Sequence, residues 1–404
     1  MTLEIRPIQP EEVDEFNRIV HTDFASPPEF NVRMTPEWTL CAFDGGKMAS
    51  TYGFWPLTMQ LNGVQAPVAG VTMVGTLPVY RRRGYLRKIT TEHFRMLYDR
   101  GEQPIAALFA SRAAIYQRYG YGVVSTKNAY TVEPRYLGFS YTTEQKGEFR
   151  EAGDDDNDLL LDLYHRFGEP RTGYLRRNES FEVASGAPFT VMKNPQPSGV
   201  LTKVVYMEDG EPAGYIIYSA ARDTRPGNPK VAQLLIINEL IWQSPSAYRA
   251  TWNYFSNMDL VQDIIWGRVP PDDPLPHLML EPRRLNLTSS DGLLARIVDV
   301  ERALPLRPYS AEGVLTFELL DDFCPWNQGR WKMEATSSGT GVRGTSEEPQ
   351  MVMPVSTLAM LMFGQISASE AARMGRLETS DYRALLLWDE VMRTAYRPFC
   401  ADMF

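Results

Sequence analysis

The run from Val71 to Arg87 constrains the fold more than any other stretch of this sequence. The uncharged, β-rich segment Val71-Thr72-Met73-Val74-Gly75-Thr76-Leu77 is stopped by Pro78, and Arg81-Arg82-Arg83-Gly84 follows. Apolar positions then recur at helical spacing at Leu86, Ile89, His93 or Phe94, and Leu97, and Gly101 closes the pattern. The stretch reads as strand, turn and helix, with the strand destined for a sheet and the helix for one face of it.

A helix N-terminus presents unpaired backbone N–H groups and the positive end of the dipole, so a glycine-bearing turn at that point is suited to an anion. Arg81, Arg82 and Arg83 add charge enough for a multiply charged anion such as a pyrophosphate. A side chain at Gly84 would hold a phosphate away from the backbone amides. Taken alone, a basic triplet also reads as a solvated helix start.

The chain has 404 residues, which favours two or three domains over one core. A hydrophobic share of 44% is that of a folded globular protein. The net charge of −9 argues against nucleic acid or an anionic membrane as the main partner and suits a cationic substrate. Cys41, Cys324 and Cys400 lie far apart and imply neither a disulfide framework nor a zinc site, and His21, His93, His165 and His277 lack metal-ligand spacing. No metal is expected. The first residues contain no apolar signal core and no stretch is apolar enough to span a bilayer, so a reducing cytoplasm is the expected setting.

Leu3 to Arg6 alternate as a short strand, and Gln9-Pro10-Glu11-Glu12 opens a helix with one apolar face. Trp38 to Phe43 and Met48 to Trp55 read as strands joined at Asp44-Gly45-Gly46, and Asn62-Gly63 signals a second hairpin leading into the motif strand. Ile105 to Ala110 reads as a buried strand. The acidic run Glu151 to Asp158 marks a boundary, with a helix from Leu159 to Phe167. Thr202 to Met207, an acidic glycine turn and Ala213 to Ser219 then repeat the earlier hairpin, and Val231 to Trp242 stands where the motif strand stood. Gln243-Ser244-Pro245-Ser246 replaces the arginines and glycine before a helix at Ala247 to Asn257, so the second unit keeps the order of elements without the phosphate turn. From Ser289 strands come first and helices last. Leu293 to Val300 alternate toward a strand, and Gly313 to Leu320 and Trp331 to Ala335 follow.

Arg81, Gly84 and Leu86 resemble the acyl-CoA-binding signature of the GCN5-related N-acetyltransferases (GNAT), with Leu86 departing from its usual Gly or Ala. Arg-Arg-Arg-Gly followed by an apolar residue, Leu and Arg is similar to the enhanced intracellular survival (Eis) branch of that superfamily. The order of the last unit resembles a sterol-carrier-protein-like domain, which that branch carries in the same place. The resemblance implies an α+β fold of the α/β GNAT type: an N-terminal acetyltransferase domain over 1–148, a second GNAT-like domain lacking the coenzyme motif over 149–288, and a sterol-carrier-protein-like domain over 289–404.

The same resemblance implies transfer of acetyl from acetyl-CoA to primary amines of a polyamine or aminoglycoside-like acceptor, by direct attack in a ternary complex. Protein lysines as acceptors, or a non-catalytic lipid- or CoA-binding role, are the alternatives. Coenzyme contacts fall on Met73, Val74, Gly75, Thr76, Arg81, Arg82, Arg83, Gly84, Tyr85, Leu86 and Ser111. Gly75 inside a strand is consistent with a bulge or a close backbone approach. Tyr116, ahead of the Gly-Tyr-Gly run at 120–122, matches the family's catalytic acid, although a packed aromatic is the plainer reading of it. The Eis branch uses its free C-terminal carboxylate on the amine proton, which implies Phe404; a hydrophobic plug is the alternative there. Trp38, Asp23, Phe24 and Asp402 are candidates for an acceptor pocket. The resemblance also implies a homo-oligomer, a hexamer built as a dimer of trimers.

Overall fold

The computed structural model describes residues 3–25, 34–141, 145–177, 200–225 and 232–404. Strands β1 (Leu3–Arg6), β2 (Cys41–Asp44), β3 (Lys47–Leu61), β4 (Val64–Thr76), β5 (Ile105–Phe109) and β6 (Gly122–Val123) belong to a first sheet of seven. Positive φ at Gly45 and Gly46, and at Asn62 and Gly63, turns the two hairpins where the sequence places them. Trp38 is not in a strand. Pro36 starts a 3-10 turn over Pro36–Trp38, Thr39 makes a lone bridge to Gly53 and the strand itself begins at Cys41, while the Trp38 ring packs edge-on against Trp55 at 5.6 Å.

Helix α1 (Val13–Phe24) buries Phe16, Ile19 and Val20 on the face of the sheet that carries Trp55 and Leu57. Helix α2 (Tyr85–Arg100) buries Ile89, His93, Phe94 and Leu97 on the face that carries Tyr52 and Phe54. The arginines therefore stand in the turn before α2 rather than within it. The sheet is covered on both sides, which is why β3 is apolar with little alternation. Gly101 ends α2 with φ +69° and an N–H bonded to Leu97. A short helix, α3 (Ala113–Gln117), follows β5.

The two halves then exchange strands. β7 (Thr126–Val132) crosses into a second seven-stranded sheet, joined by β8 (Gly147–Glu151), β9 (Val200–Glu208), β10 (Glu211–Arg222), β11 (Gln233–Trp242), β12 (Val261–Val269) and β13 (Thr288–Asp291). β14 (Leu293–Ile297) returns to the first sheet between β5 and β6. All five of its residues are buried, so the alternation read from its sequence is absent. Helices α4 (Asn157–Gly168) and α5 (Pro245–Ser256) belong to the second unit.

The last unit is a four-stranded sheet, β15 (Gly313–Leu320), β16 (Gly329–Thr336), β17 (Gly339–Gly344) and β18 (Met351–Pro354), followed by α6 (Val355–Phe363), α7 (Ala368–Arg373) and α8 (Tyr382–Met392). α6 packs on β14 and β6, and its Leu358, Ala359, Leu361, Met362 and Phe363 are fully buried. That apolar helix is core, and it joins the third unit to the first. Among the described residues no helix is long and apolar enough to cross a membrane, and no cluster of His, Cys, Asp or Glu is disposed to hold a metal.

The same joint contains a buried ion pair. Arg296 of β14, fully buried, donates to both carboxylate oxygens of Asp321 at 2.8 and 2.6 Å, and Asp321 also accepts from the backbone of Cys324 and the amide of Asn327. Asp321→Ala strands the guanidinium in the interior and should lower unfolding free energy by about 3–5 kcal/mol. Denaturant titration measures it, and a loss below about 1 kcal/mol, typical of an exposed pair, would contradict the burial argument.

Candidate active site

The site is built on the place where β4 and β5 part. The two strands run parallel but pair only at Ala69 with Ala106 and Gly70 with Ala107. From Val71 onward β4 has no ladder partner on that side among the described residues, which leaves a strand edge beside a wedge-shaped opening. Within the same stretch Met73 and Val74 together oppose Tyr52, a β-bulge in which Met73 takes the left-handed conformation at φ +51°. The bulge thus falls at Met73 rather than at Gly75. Gly75 answers to a close approach instead: a Cβ there would come within 2.5 Å of the Asp23 carboxylate and 3.1 Å of the Thr51 hydroxyl. Hydroxyls fix this strand end. Thr51 donates to the Met73 carbonyl at 2.9 Å and Ser50 to the Gly75 carbonyl at 2.7 Å, and the Ser50 and Thr76 hydroxyls share a further bond.

The turn beyond β4 is charged and open. Gly84 is the N-cap of α2 at φ +80°, a conformation glycine adopts without cost, and nothing lies within 4 Å of where its Cβ would be. Arg81 donates to the Thr76 carbonyl at 2.9 Å and pairs with Asp23 at 3.1 Å. Arg83 pairs with Asp44 at 3.0 Å, and the Tyr85 hydroxyl donates to the same carboxylate at 2.7 Å. Arg82, exposed and at φ +63°, makes no hydrogen bond or ion pair among the described residues. Two guanidinium groups are therefore held in place by carboxylates while a third is free to meet an incoming anion. A diphosphate fits this geometry: open space over the N-cap, backbone N–H groups at the start of α2, and three guanidiniums around them.

Tyr116 sits on α3, directly after β5, with its ring centroid 5.9 Å from that of Tyr121. Its hydroxyl has no protein partner among the described residues, and burial, assisted by Tyr119, pushes its pKa up to about 12. The phenol is thus protonated throughout the physiological range. Val74, Leu86 and Tyr116 all pack against the apolar cluster between α2 and the sheet. Ser111 lies exposed in the turn between β5 and α3 and makes no hydrogen bond there. His93 is a core residue. It bonds Tyr52 at 2.8 Å, and burial, with a smaller push from Arg100, lowers its pKa to about 3.

Phe404 comes back to the same place from the far end of the chain. Its ring centroid is 5.4 Å from that of Phe109 at the end of β5, and a Cβ on Gly70 of β4 would lie 2.9 Å from its Cδ2. The ring of the last residue therefore lies on the sheet at the final β4–β5 pair, on the face that carries Trp55 and Leu57. The structure gathers Met73, Val74, Gly75, Thr76 and Phe404 at the opening, and Arg81, Arg83, Gly84 and Tyr85 at the turn. Ser111 follows β5 in the turn that leads into α3. Of the acceptor-pocket candidates, Asp23 lies against Gly75, Trp38 packs on Trp55 and Phe24 is exposed. Asp402 is buried in an ion pair with Arg177.

Several site residues escaped the sequence reading. Asp44 reads there only as a turn residue, because its bonds to Arg83 and Tyr85 are made across about forty positions. Glu239 and Arg268 carry a visible signal, a charge two residues after the apolar runs that end at Ile237 and Trp266.

Comparison with known proteins agrees with this architecture unit by unit. Residues 4–124 and residues 173–297 each match an acetyltransferase (GNAT) domain, and residues 300–401 match a sterol carrier protein domain. The chain is therefore similar to the Eis-like GNAT acetyltransferases in the order and kind of its three units. An uncharacterized N-acetyltransferase of Streptomyces avermitilis is 29% identical, with 100% of this chain and 99% of that protein covered. N-acetyltransferase Eis of Mycobacterium tuberculosis is 29% identical over 80% of this chain and 77% of its own. The crystal structure of Eis1 from Mycobacterium abscessus superposes with a TM-score of 0.82 at 25% identity, covering 99% and 100% of the two chains. A GCN5-related N-acetyltransferase from Anabaena variabilis shares the fold at a TM-score of 0.85 and 21% identity over 100% of both. The expected fold, a tandem of GNAT domains and a sterol-carrier-protein-like domain, is thus the observed one, and the protein is an acetyltransferase.

Gly84→Ala tests the turn. The added Cβ meets no neighbour, so the fold should persist with about 1–2 kcal/mol of backbone strain, while coenzyme affinity falls. Calorimetric titration with coenzyme A checks this, and unchanged affinity would show that the turn does not hold the phosphates.

Proposed function

We propose that this Eis-like enzyme transfers acetyl from acetyl-CoA to a primary amine of a polyamine or aminoglycoside-like acceptor, by direct attack without an acyl-enzyme. The observation that supports the reading is the Phe404 ring packed against Phe109 and Gly70 at the last β4–β5 pair, beside the bulged strand. Arg81, Arg82, Arg83 and Gly84 hold the coenzyme diphosphate, with Tyr85 and Leu86 at the start of the helix beneath it. Met73, Val74, Gly75 and Thr76 offer their backbone to the amide-rich arm and to the thioester carbonyl, and Ser111 lies beside the coenzyme. Asp23 beside Gly75 and the net charge of −9 favour a cationic acceptor.

Tyr116 gives its proton to the departing sulfur, and the Phe404 carboxylate receives the amine proton directly or through a water. A terminal carboxyl has an ordinary pKa of ~3.5, so orientation and exclusion of solvent contribute more than basicity. Three sequence units at 1–148, 149–288 and 289–404, exchanging β7 and β14, assemble into a cytoplasmic homo-oligomer, a hexamer in this reading.

A coenzyme-release assay across polyamines, aminoglycosides and lysine peptides tests the acceptor class. Turnover confined to lysine peptides would replace a small-molecule acceptor with a protein one. Tyr116→Phe should lower kcat ~10²–10⁴-fold with coenzyme affinity unchanged, and undiminished turnover would remove the acid role. Because the active form is the protonated phenol, its loss should appear only as pH rises toward about 12, so an alkaline limb below about pH 10 belongs to another group.

A further inference from the structure

The second unit repeats the construction of the first at one specific place. β11 runs parallel to β12 as β4 does to β5, and their pairing ends at Ile237 with Trp266. Beyond that point Glu239–Trp242 and Gly267–Val269 have no ladder between them. β11 is also bulged on its other edge: Ile217 pairs with Glu239 and Tyr218 with Ile237, leaving Asn238 extra. The second sheet therefore has its own opening between parallel strands, although Gln243-Ser244-Pro245 replaces the arginine–glycine turn before α5.

The chain's own C-terminal segment is held from both sides of that opening. From β12, Arg268 donates to the carbonyls of Ala401 at 3.0 Å and Cys400 at 2.7 Å. From β11, Glu239 pairs with the Arg177 guanidinium, which pairs with Asp402 at 2.8 Å. Tyr164 donates to Asp402 and Tyr215 to Glu239, each at 2.7 Å, and the Arg177 guanidinium lies 3.6 Å over the Tyr164 ring. The Phe399 amide bonds the Thr172 carbonyl at 2.9 Å. Arg177, Asp402 and Glu239 are 4%, 2% and 8% exposed, so this is an interior binding site and not a surface latch.

We propose that the second GNAT-like domain is a receptor for this chain's own C-terminal peptide, taking an acidic segment where its sister domain takes a coenzyme arm. Residues Phe399 to Asp402 are the ligand, and Arg177 and Arg268 are positioning residues that deliver Phe404 across to the first opening. The duplicated domain thus works as a socket, and the route of the tail is set by two strand openings in succession. Only the catalytic consequence rests on the proposed role of Phe404; the receptor itself does not.

Hydrogen–deuterium exchange on the full chain, without substrates, tests the receptor directly. Asp402→Asn and Arg268→Gln should each speed exchange in the peptide covering 399–404 at least tenfold, with the first sheet unchanged. Arg268→Gln strands no carboxylate, so it decides the matter if Asp402→Asn loosens the whole protein. Protection of the tail equal to wild type in Arg268→Gln would overturn the proposal. In the same variants kcat should fall while the KM for coenzyme holds. A released tail with undiminished kcat would support the receptor and count against Phe404 as the proton acceptor. Appending a glycine after Phe404 separates the two ideas from the other direction: tail protection should remain while turnover is lost.

Discussion

A single guanidinium buried between two carboxylates carries the arrangement of this molecule. Arg177 lies between Asp402 of the tail and Glu239 of the second sheet, and desolvation of such a group is worth its cost only when its partners are both present and well placed. The attraction of the two carboxylates outweighs the burial that alone would depress it, so the arginine stays charged. Removing Asp402 would take from the buried guanidinium one of its two carboxylates, so the tail and the second sheet are coupled through Arg177. The residues that follow Asp402 inherit that fixity.

The wider architecture explains how a chain end can reach a site built by residues 70–109. β7 and β14 are exchanged between the two large sheets, and the buried Arg296–Asp321 pair, together with α6 on β14, fastens the third unit to the first. The last helix therefore ends close to the seam between the two acetyltransferase-like units. From there the tail passes Tyr174 and Thr172 of the second unit and reaches Phe109 of the first. The first unit supplies an anion turn and a bulged strand, and the second supplies the anchor.

Local chemistry was legible in the sequence wherever neighbouring residues decide the outcome. Glycine turns at 45–46 and 63, the stop at Gly101 and the strand–turn–helix around Gly84 all follow from backbone preferences and periodicity. Features decided by distant partners were not. β7 and β14 change sheets because of pairing partners more than a hundred positions away, and the full burial of β14 removes the alternation that marks a strand. Trp38 reads as strand because tryptophan favours pleated surfaces, yet Pro36 fixes a 3-10 turn around it. Asp402 reads as a carboxylate for a cationic acceptor, whereas its charge is committed to an arginine 225 residues earlier. The return of Phe404 was expected from family resemblance alone, since no periodicity or spacing in the last residues points to where they dock.

In the proposed function the Phe404 carboxylate and the thioester meet at the β4–β5 opening. A crystal structure with acetyl-CoA bound measures this most directly. The account predicts the diphosphate over Gly84 and the acetyl group beside the bulge at Met73, with the Phe404 carboxylate within hydrogen-bond reach of the acceptor position or one water from it. An acetyl group bound on the far side of β4, or a Phe404 carboxylate displaced from the opening when the coenzyme enters, would contradict it.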